Sequence, residues 1–314
     1  MSVVCLIGAT HAGAQVVEAT GERALGMGGA FTAVANDSSA TWWNPAGLAN
    51  GPFFDLSLTR AVDRRTDVLP AGRDRATVFA LSTPAVGVSV QRLTVASARG
   101  DVGAAGAALT SWGGTAIGVT LVQTVVDGVH VGGTVKYVRG TARTGNAVSA
   151  GRPEDAVEQA GALGGGEAEG QLEVDLGALS VTGPVRVGLL VRNVRGAEFD
   201  GGFALPRQAR IGVAFAAEQA GGPPLTIAVD ADLRAYRAGD AERRMVAVGV
   251  EQWVLSGRVG LRAGARFNQV GAGEQAFTVG ASVALRPGQF VEAHVVGAGT
   301  PAERGWGTGI RVSF

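Results

Sequence analysis

From about residue 170 to the C-terminus the sequence alternates with a period of two, and few folds satisfy that pattern. Leu225, Ile227, Val229, Ala231 and Leu233 fall on one side of an extended chain, and Thr226, Ala228, Asp230, Asp232 and Arg234 on the other. Val259, Leu261, Ala263, Ala265 and Phe267 oppose Arg258, Gly260, Arg262, Gly264 and Arg266 in the same way. Phe277, Val279, Ala281, Val283 and Leu285 oppose Thr278, Gly280, Ser282, Ala284 and Arg286. A helix cannot keep such sets apart, whereas a strand does so automatically. Each segment runs about ten residues, longer than the usual five or six of a soluble strand and long enough to cross a bilayer when tilted. A soluble sandwich would carry a densely charged second face. Here that face mixes Gly, Ser and Thr with scattered Arg and Asp, which suits the inside of a barrel. The 50 glycines among 314 residues point the same way, because an interior glycine costs about 1 kcal/mol in a helix.

Connection lengths give an independent reading. Long stretches at 298–304, 268–275, 195–206, 143–170, 96–107 and 61–74 interleave with short ones at Pro287-Gly288, Leu255-Ser256-Gly257, Thr182-Gly183-Pro184, Val126-Asp127-Gly128 and Thr83-Pro84-Ala85. The stretch 237–242 is intermediate, and 217–224 is an exception of similar length. Barrels of the outer membrane alternate short inner turns with longer outer loops. The segments between predict strands at 53–60, 75–82, 86–95, 108–125, 129–142, 171–181, 185–194, 207–216, 225–236, 243–254, 257–267, 276–285, 289–297 and 305–314. That is about fourteen, an even number as single-chain bacterial barrels require. Residues 108–125 enter as one strand, with Gly113-Gly114 read as a kink or bulge. The expected fold is all-β: a single transmembrane antiparallel β-barrel over 51–314. The loop 143–170 holds Pro153-Glu154-Asp155, which either starts a short helix or belongs to a disordered polar loop.

Residues 1–14 read as the remnant of a signal peptide, with an apolar run from Val3 to Ala9 and a small-x-small cleavage site at Ala12-Gly13-Ala14. Cys5 lies inside it, so the mature chain is expected to carry no cysteine, disulfide or thiolate metal site. Residues 15–50 differ from the rest. Asp37 or Ser38 can cap a short helix running to Trp43, and Asn44, preceding Pro45, should leave the helical region. Paired tryptophans at 42 and 43 demand burial, so a compact element ahead of the first strand is expected to pack inside the lumen as a plug.

The run from Arg23 through Ala49, RALGMGGAFTAVANDSSATWWNPAGLA, resembles the N-terminal signature of FadL-like outer-membrane barrels, a group that includes long-chain fatty acid transporters, PorV-like proteins and TraF-like barrels. Asn44-Pro45-Ala46 is similar to that group's hatch element, and Leu205-Pro206-Arg207-Gln208-Ala209-Arg210 resembles another recurring stretch. The resemblance implies fourteen strands and an N-terminal hatch over 15–50, with Gly26, Gly28, Gly29, Asn44, Pro45 and Ala46 as hatch and ligand-gating residues. It also implies passive uptake of a hydrophobic small molecule that passes the hatch and leaves sideways into the membrane. The alternative is a PorV-like scaffold with a secretion-system partner. The last strand, with Trp306, Ile310, Val312 and terminal Phe314, resembles the assembly signal of outer-membrane proteins, which implies the assembly machinery as a partner and the outer membrane, reached by export, as the location.

Catalysis has little to stand on. After the signal segment and His11, only His130 and His294 remain, on different expected strands and without metal-ligand spacing. His294 near Glu292 is read as a pair tuning lumen polarity. Asp230, Asp232, Arg258, Arg262 and Arg266 are read as lumen charges. Gly26-Met27-Gly28-Gly29 lacks the ending of a phosphate loop. Lys+Arg and Asp+Glu both number 27, so no basic excess points to nucleic acid. The expectation is a non-enzymatic membrane protein, with no cofactor and no metal, whose partners are membrane lipids and a hydrophobic ligand.

Overall fold

The computed structural model describes residues 20–65, 70–100, 107–147, 151–200, 203–238, 241–271, 273–297 and 304–314; the expected signal segment lies outside them. Each alternating segment forms a strand: β1 (Asp55–Arg65), β2 (Ala71–Ser82), β3 (Val86–Arg99), β4 (Ala108–Val126), β5 (Val129–Asn146), β6 (Glu169–Thr182), β7 (Val185–Arg192), β8 (Gln208–Ala216) and β9 (Leu225–Asp232). A small hairpin, β10 (Tyr236–Ala238) and β11 (Ala241–Arg243), then stands apart, followed by β12 (Met245–Val254), β13 (Val259–Asn268), β14 (Gln275–Arg286), β15 (Gln289–Gly297) and β16 (Arg304–Ser313). Fourteen of these form one closed antiparallel barrel, with β1 pairing β16 from Asp55↔Ser313 to Arg64↔Arg304. Closure gives every barrel strand a neighbour on both sides, which lipid cannot do. The apolar set of each strand faces out: on β14, Phe277, Val279 and Val283 are about half exposed while Thr278 and Ser282 are buried.

Three local expectations need correction. Gly113-Gly114 sits in an unbroken ladder, and the irregularity in the β4–β5 pair lies at Thr124/Val126. The glycines serve a different purpose: a Cβ at Gly114, or at its cross-strand partner Gly140, would run into the Trp112 indole. The segment expected at 225–236 leaves the barrel at Asp232, and Tyr236 belongs to the separate hairpin. Arg258 is not a lumen charge. It lies exposed in the turn before β13, at the barrel's end.

Pro153 does start a helix, α3 (Pro153–Gly161), with Glu154 and Asp155 in its first turn. Its Ala156, Val157 and Ala160 pack on Ala71, Ala96, Ala98 and Leu109. In β3 the even-numbered positions are the outward ones, since Gln91, Leu93 and Val95 are the buried inward set. The β5–β6 connection therefore folds down over the outside of the wall, and Arg73 of β2 reaches Glu154 and Glu158 of α3 at 4.0 and 3.8 Å.

Residues 20–48 are almost wholly buried, and the contacts of this stretch explain the glycine content. Cβ atoms added to Gly132, Gly177, Gly188, Gly212, Gly249, Gly264 and Gly280 would each collide with residues between Gly26 and Ala46. These glycines lie on seven different barrel strands. The wall is thus hollowed by one side chain at each of these seven points. Gly264→Val should press on the Met27 carbonyl and cost about 1–3 kcal/mol by overpacking. Gly151→Ala, with open space around it, should cost nothing measurable. Urea unfolding of the barrel in detergent, followed by tryptophan fluorescence, compares the two.

Candidate ligand pocket and plug contacts

The N-terminal segment is built from short elements, of which only the turn after Asn44 has a side-chain cap. Gly21, at φ 80°, precedes α1 (Glu22–Gly26), and Gly28 and Gly29 turn the chain at φ 69° and 86°. Asp37 Oδ1 accepts from Ser39 N at 3.0 Å ahead of α2 (Ala40–Trp43). Asn44 then adopts an extended backbone and Pro45 opens a 3-10 turn over Pro45–Asn50. The Asn44 side chain accepts from Ala46 N at 3.2 Å and donates to Thr32 O at 2.8 Å and Ala178 O at 3.0 Å. It joins two halves of the segment to β6. Gly26 seats its Cα on Gly280 of β14, and Gly28 rests on Ala265. Gly26, Gly28, Asn44, Pro45 and Ala46 are therefore packing points against the wall.

Charge is concentrated in the same contact. Arg23 forks onto both oxygens of Glu251 at 3.0 and 2.7 Å, and its other arm meets Asp37 at 2.7 Å and Asn36 at 2.9 Å. Arg262 Nε donates to the same Glu251 at 2.7 Å. Asp230 accepts from the backbone of Phe31 and Thr32 at 3.1 and 2.9 Å. Asp232 pairs with Arg210 at 2.8 Å, and Arg266 is buried on the inward face. Glu292 and His294 share a side of β15 but not a bond. Glu292 accepts from Ser282 and Arg311, at 2.8 and 3.1 Å, and His294 meets Glu22 of α1. The sequence carried a sign of Glu251, an acid on the glycine-bearing face of β12. Nothing in its spacing revealed Arg23 as the partner, 228 residues away.

Above this polar layer, towards the long loops, the lining turns apolar. Trp42 of α2, Trp112 of β4, Leu93, Val138, Phe203 and Leu205 surround a pocket that was not visible in the sequence. Phe203 and Phe199 arrive from the β7–β8 connection, which bends into the barrel. Phe203 stacks on Trp112 with ring centres 4.5 Å apart and planes within 9°, and Phe199 meets it edge-on at 5.9 Å. The floor is cationic. Arg192 and Lys136 lie over the Trp42 ring at 4.2 and 5.3 Å, with Lys136 held by Asp175 and Asn193 at 2.8 Å each. The free space is ≈ 30 Å³, room for about one water molecule. A ring-sized guest must displace a side chain. A second, more open cavity of ≈ 380 Å³ lies at the short-turn end beside Arg23, Asn36, Trp253, Phe290 and Arg311. The N-terminal segment separates the two.

The connection that carries the phenylalanines is anchored by carboxylates. Glu173, fully buried, accepts from Arg195 N at 3.2 Å and from Ala197 N. Val194 N to Val174 O, 2.9 Å, is the outermost backbone bond described between this stretch and β6. Beyond it, side chains bridge the wall: Gln171 donates to Glu198 O at 3.2 Å, and Asp200 N donates to Glu169. Among the described residues no group of three His, Cys, Asp or Glu could hold a metal ion.

Glu251→Gln should leave Arg23 and Arg262 buried without their carboxylate and cost about 3–5 kcal/mol, as breaking a buried pair does. Trypsin should then cut at Arg23 in the otherwise folded barrel. Resistance equal to that of the unaltered protein would contradict this account of the contact.

No protein-family model and no curated protein sequence matches the chain. Solved structures do. The toluene transporter TbuX of Ralstonia pickettii aligns with a TM-score of 0.66 at 14% identity, over 95% of this chain and 99% of that one. The monoaromatic hydrocarbon channel CymD aligns at 0.65 and 14% identity, over 96% and 99%. A FadL homologue of Pseudomonas aeruginosa aligns at 0.65 and 11% identity, over 96% and 99%. Barrel, strand number and near end-to-end coverage coincide: the chain has the fold of the FadL-type transporters and channels for hydrophobic compounds.

Proposed function

We propose that this barrel resides in the outer membrane and admits hydrophobic small molecules passively, with the pocket over Trp42 as their seat. The observation that carries this reading is the aromatic wall formed where Phe199 and Phe203 fold onto Trp112, directly above the N-terminal segment. An apolar solute gains by leaving water for such a surface, and aromatic contacts add about 0.5–1.5 kcal/mol each. The solved neighbours include a toluene transporter and a monoaromatic hydrocarbon channel, which is consistent in chemistry. The segment 15–50 acts as the hatch in this reading, with Asn44, Pro45, Ala46 and the glycines at 26, 28 and 29 as its hinges. The ion pairs of Arg23 hold it shut.

The sideways exit requires an opening in the wall. The ladders joining β16, β1, β2, β3 and β4 run without interruption, so the exit is assigned to the β6 edge beyond Val174, where side chains bridge the wall. A second reading, a non-enzymatic scaffold barrel serving a secretion partner, is favoured by one feature, the dense ion pairing around Glu251. Two measurements separate them. Trp112→Ala should lower the amount of toluene or a similar apolar probe retained by the purified barrel about tenfold, the equivalent of one aromatic contact. Unchanged retention removes the pocket from the proposal. A disulfide between Gln171→Cys and Glu198→Cys should stop uptake into proteoliposomes when oxidised and restore it on reduction. Uptake indifferent to this lock would place the exit elsewhere, and no uptake in either state would favour the scaffold.

A further inference from the structure

The outer surface of the barrel changes character along one cross-strand row. Leu58, Phe79, Val90, Ile117, Tyr137 and Leu172 are successive ladder neighbours from β1 to β6, and all are exposed apolar side chains facing out. The next outward row towards the long loops reads Arg60, Thr77, Arg92, Thr115, Arg139. One row further, Arg75 stands opposite Val62, and beyond that Arg64 stands between Arg73 and Arg304. The outward positions of β16 and β1 to β5 hold no Asp or Glu among the described residues, so Arg60, Arg64, Arg75, Arg92 and Arg139 have no described acid beside them on the wall. Arg60, Arg64, Arg75, Arg92 and Arg139 are exposed, and their side chains make no hydrogen bond or ion pair with the described residues. The outward faces of β7, β8, β9 and β12 to β15 show no such arginines. Above the rows sits α3, laid over Ala96, Ala98 and Leu109, and among the described residues its Glu154 and Glu158 pair only with Arg73. The result is a cationic ledge, bounded below by lipid-facing side chains and above by a helix.

We propose that this ledge binds the phosphate groups of an anionic glycolipid in the outer leaflet. The inference rests on the barrel and on the long loops pointing outwards, not on the transport reading. Guanidinium groups pair with phosphate bidentately, and an arginine at the edge of the apolar band reaches headgroup height while its methylenes stay on the hydrocarbon. Interleaved Thr77 and Thr115 add hydroxyl donors between the arginines of the first row. A soluble anion would have no reason to favour a surface whose lower border is exposed leucine, phenylalanine and isoleucine. A lipid satisfies both borders at once, with its acyl chains on the apolar row and its phosphates on the arginines.

The test uses the full barrel in a mild non-ionic detergent, with bound lipid read by native mass spectrometry. Diphosphoryl lipid A should be retained about tenfold or more better than the same lipid stripped of both phosphates. R60Q/R92Q/R139Q should erase that preference, and R60K/R92K/R139K should keep part of it. Heat-modifiable migration confirms that each variant is folded. Should the glutamine variant fail to fold, the two lipids compared on the unaltered barrel decide alone. Equal retention of both lipids, or an undiminished preference in the folded glutamine variant, overturns the proposal. Displacement of the lipid by excess inorganic phosphate would identify a free-ion site and overturn the lipid as occupant.

Discussion

A strand placed in hydrocarbon has to find partners for both of its edges, because nothing around it can accept or donate a hydrogen bond. The whole architecture follows from that requirement. Fourteen strands close with β1 on β16, and their alternation puts leucine, valine and phenylalanine on the lipid side. The same alternation sends every second residue inwards, and a barrel of this size has an interior too wide for its own side chains to fill. The N-terminal segment occupies that space. It does so at close quarters, backbone against backbone, which only glycine permits at points such as Gly188 under Thr32 and Gly264 under Met27. An unusual glycine content is thus the counterpart of an unusual interior.

The polar and apolar halves of that interior perform different work. Around Arg23 the contact is ionic, with Glu251 shared between Arg23 and Arg262. Such a cluster holds one arrangement strongly and tolerates alternatives badly, because any single departure strands a charge. Around Trp42 the contact combines ring faces with a cation: Arg192 lies over the indole at 4.2 Å and donates to the Trp42 carbonyl at 2.8 Å.

The sequence disclosed the wall far better than its contents. In–out parity came from period-two alternation, and strand number from the alternation of short and long connections; both are local signals. The inward placement of Asp230, Asp232, Arg262 and Arg266 came with it, since parity decides the face. Arg258 was misplaced because parity was carried one residue ahead of the start of β13. The partners inside were illegible for a different reason. Arg23 and Glu251 are 228 residues apart, and Phe203 reaches Trp112 only because an irregular loop turns inwards. Periodicity carries no information about either. Gly113-Gly114 was recognised as special but for the wrong cause: Gly114 makes room for an indole, and neither glycine bends the strand.

The barrel is also taller on one flank than on the other. β4 and β5 run for 19 and 18 residues, while β7 and β9 run for 8 each. Eight residues extend roughly 27 Å, and a tilt of about 40° reduces this to roughly 20 Å of height, short of the usual lipid-facing band of about 25 Å. In a bilayer, lipid next to β7–β9 would have to compress to match, whereas lipid beside β4 and β5 would not. A bilayer pinched on a single flank is softer there to a solute passing between leaflet and protein, and it gives the molecule a preferred orientation towards its neighbours in the membrane.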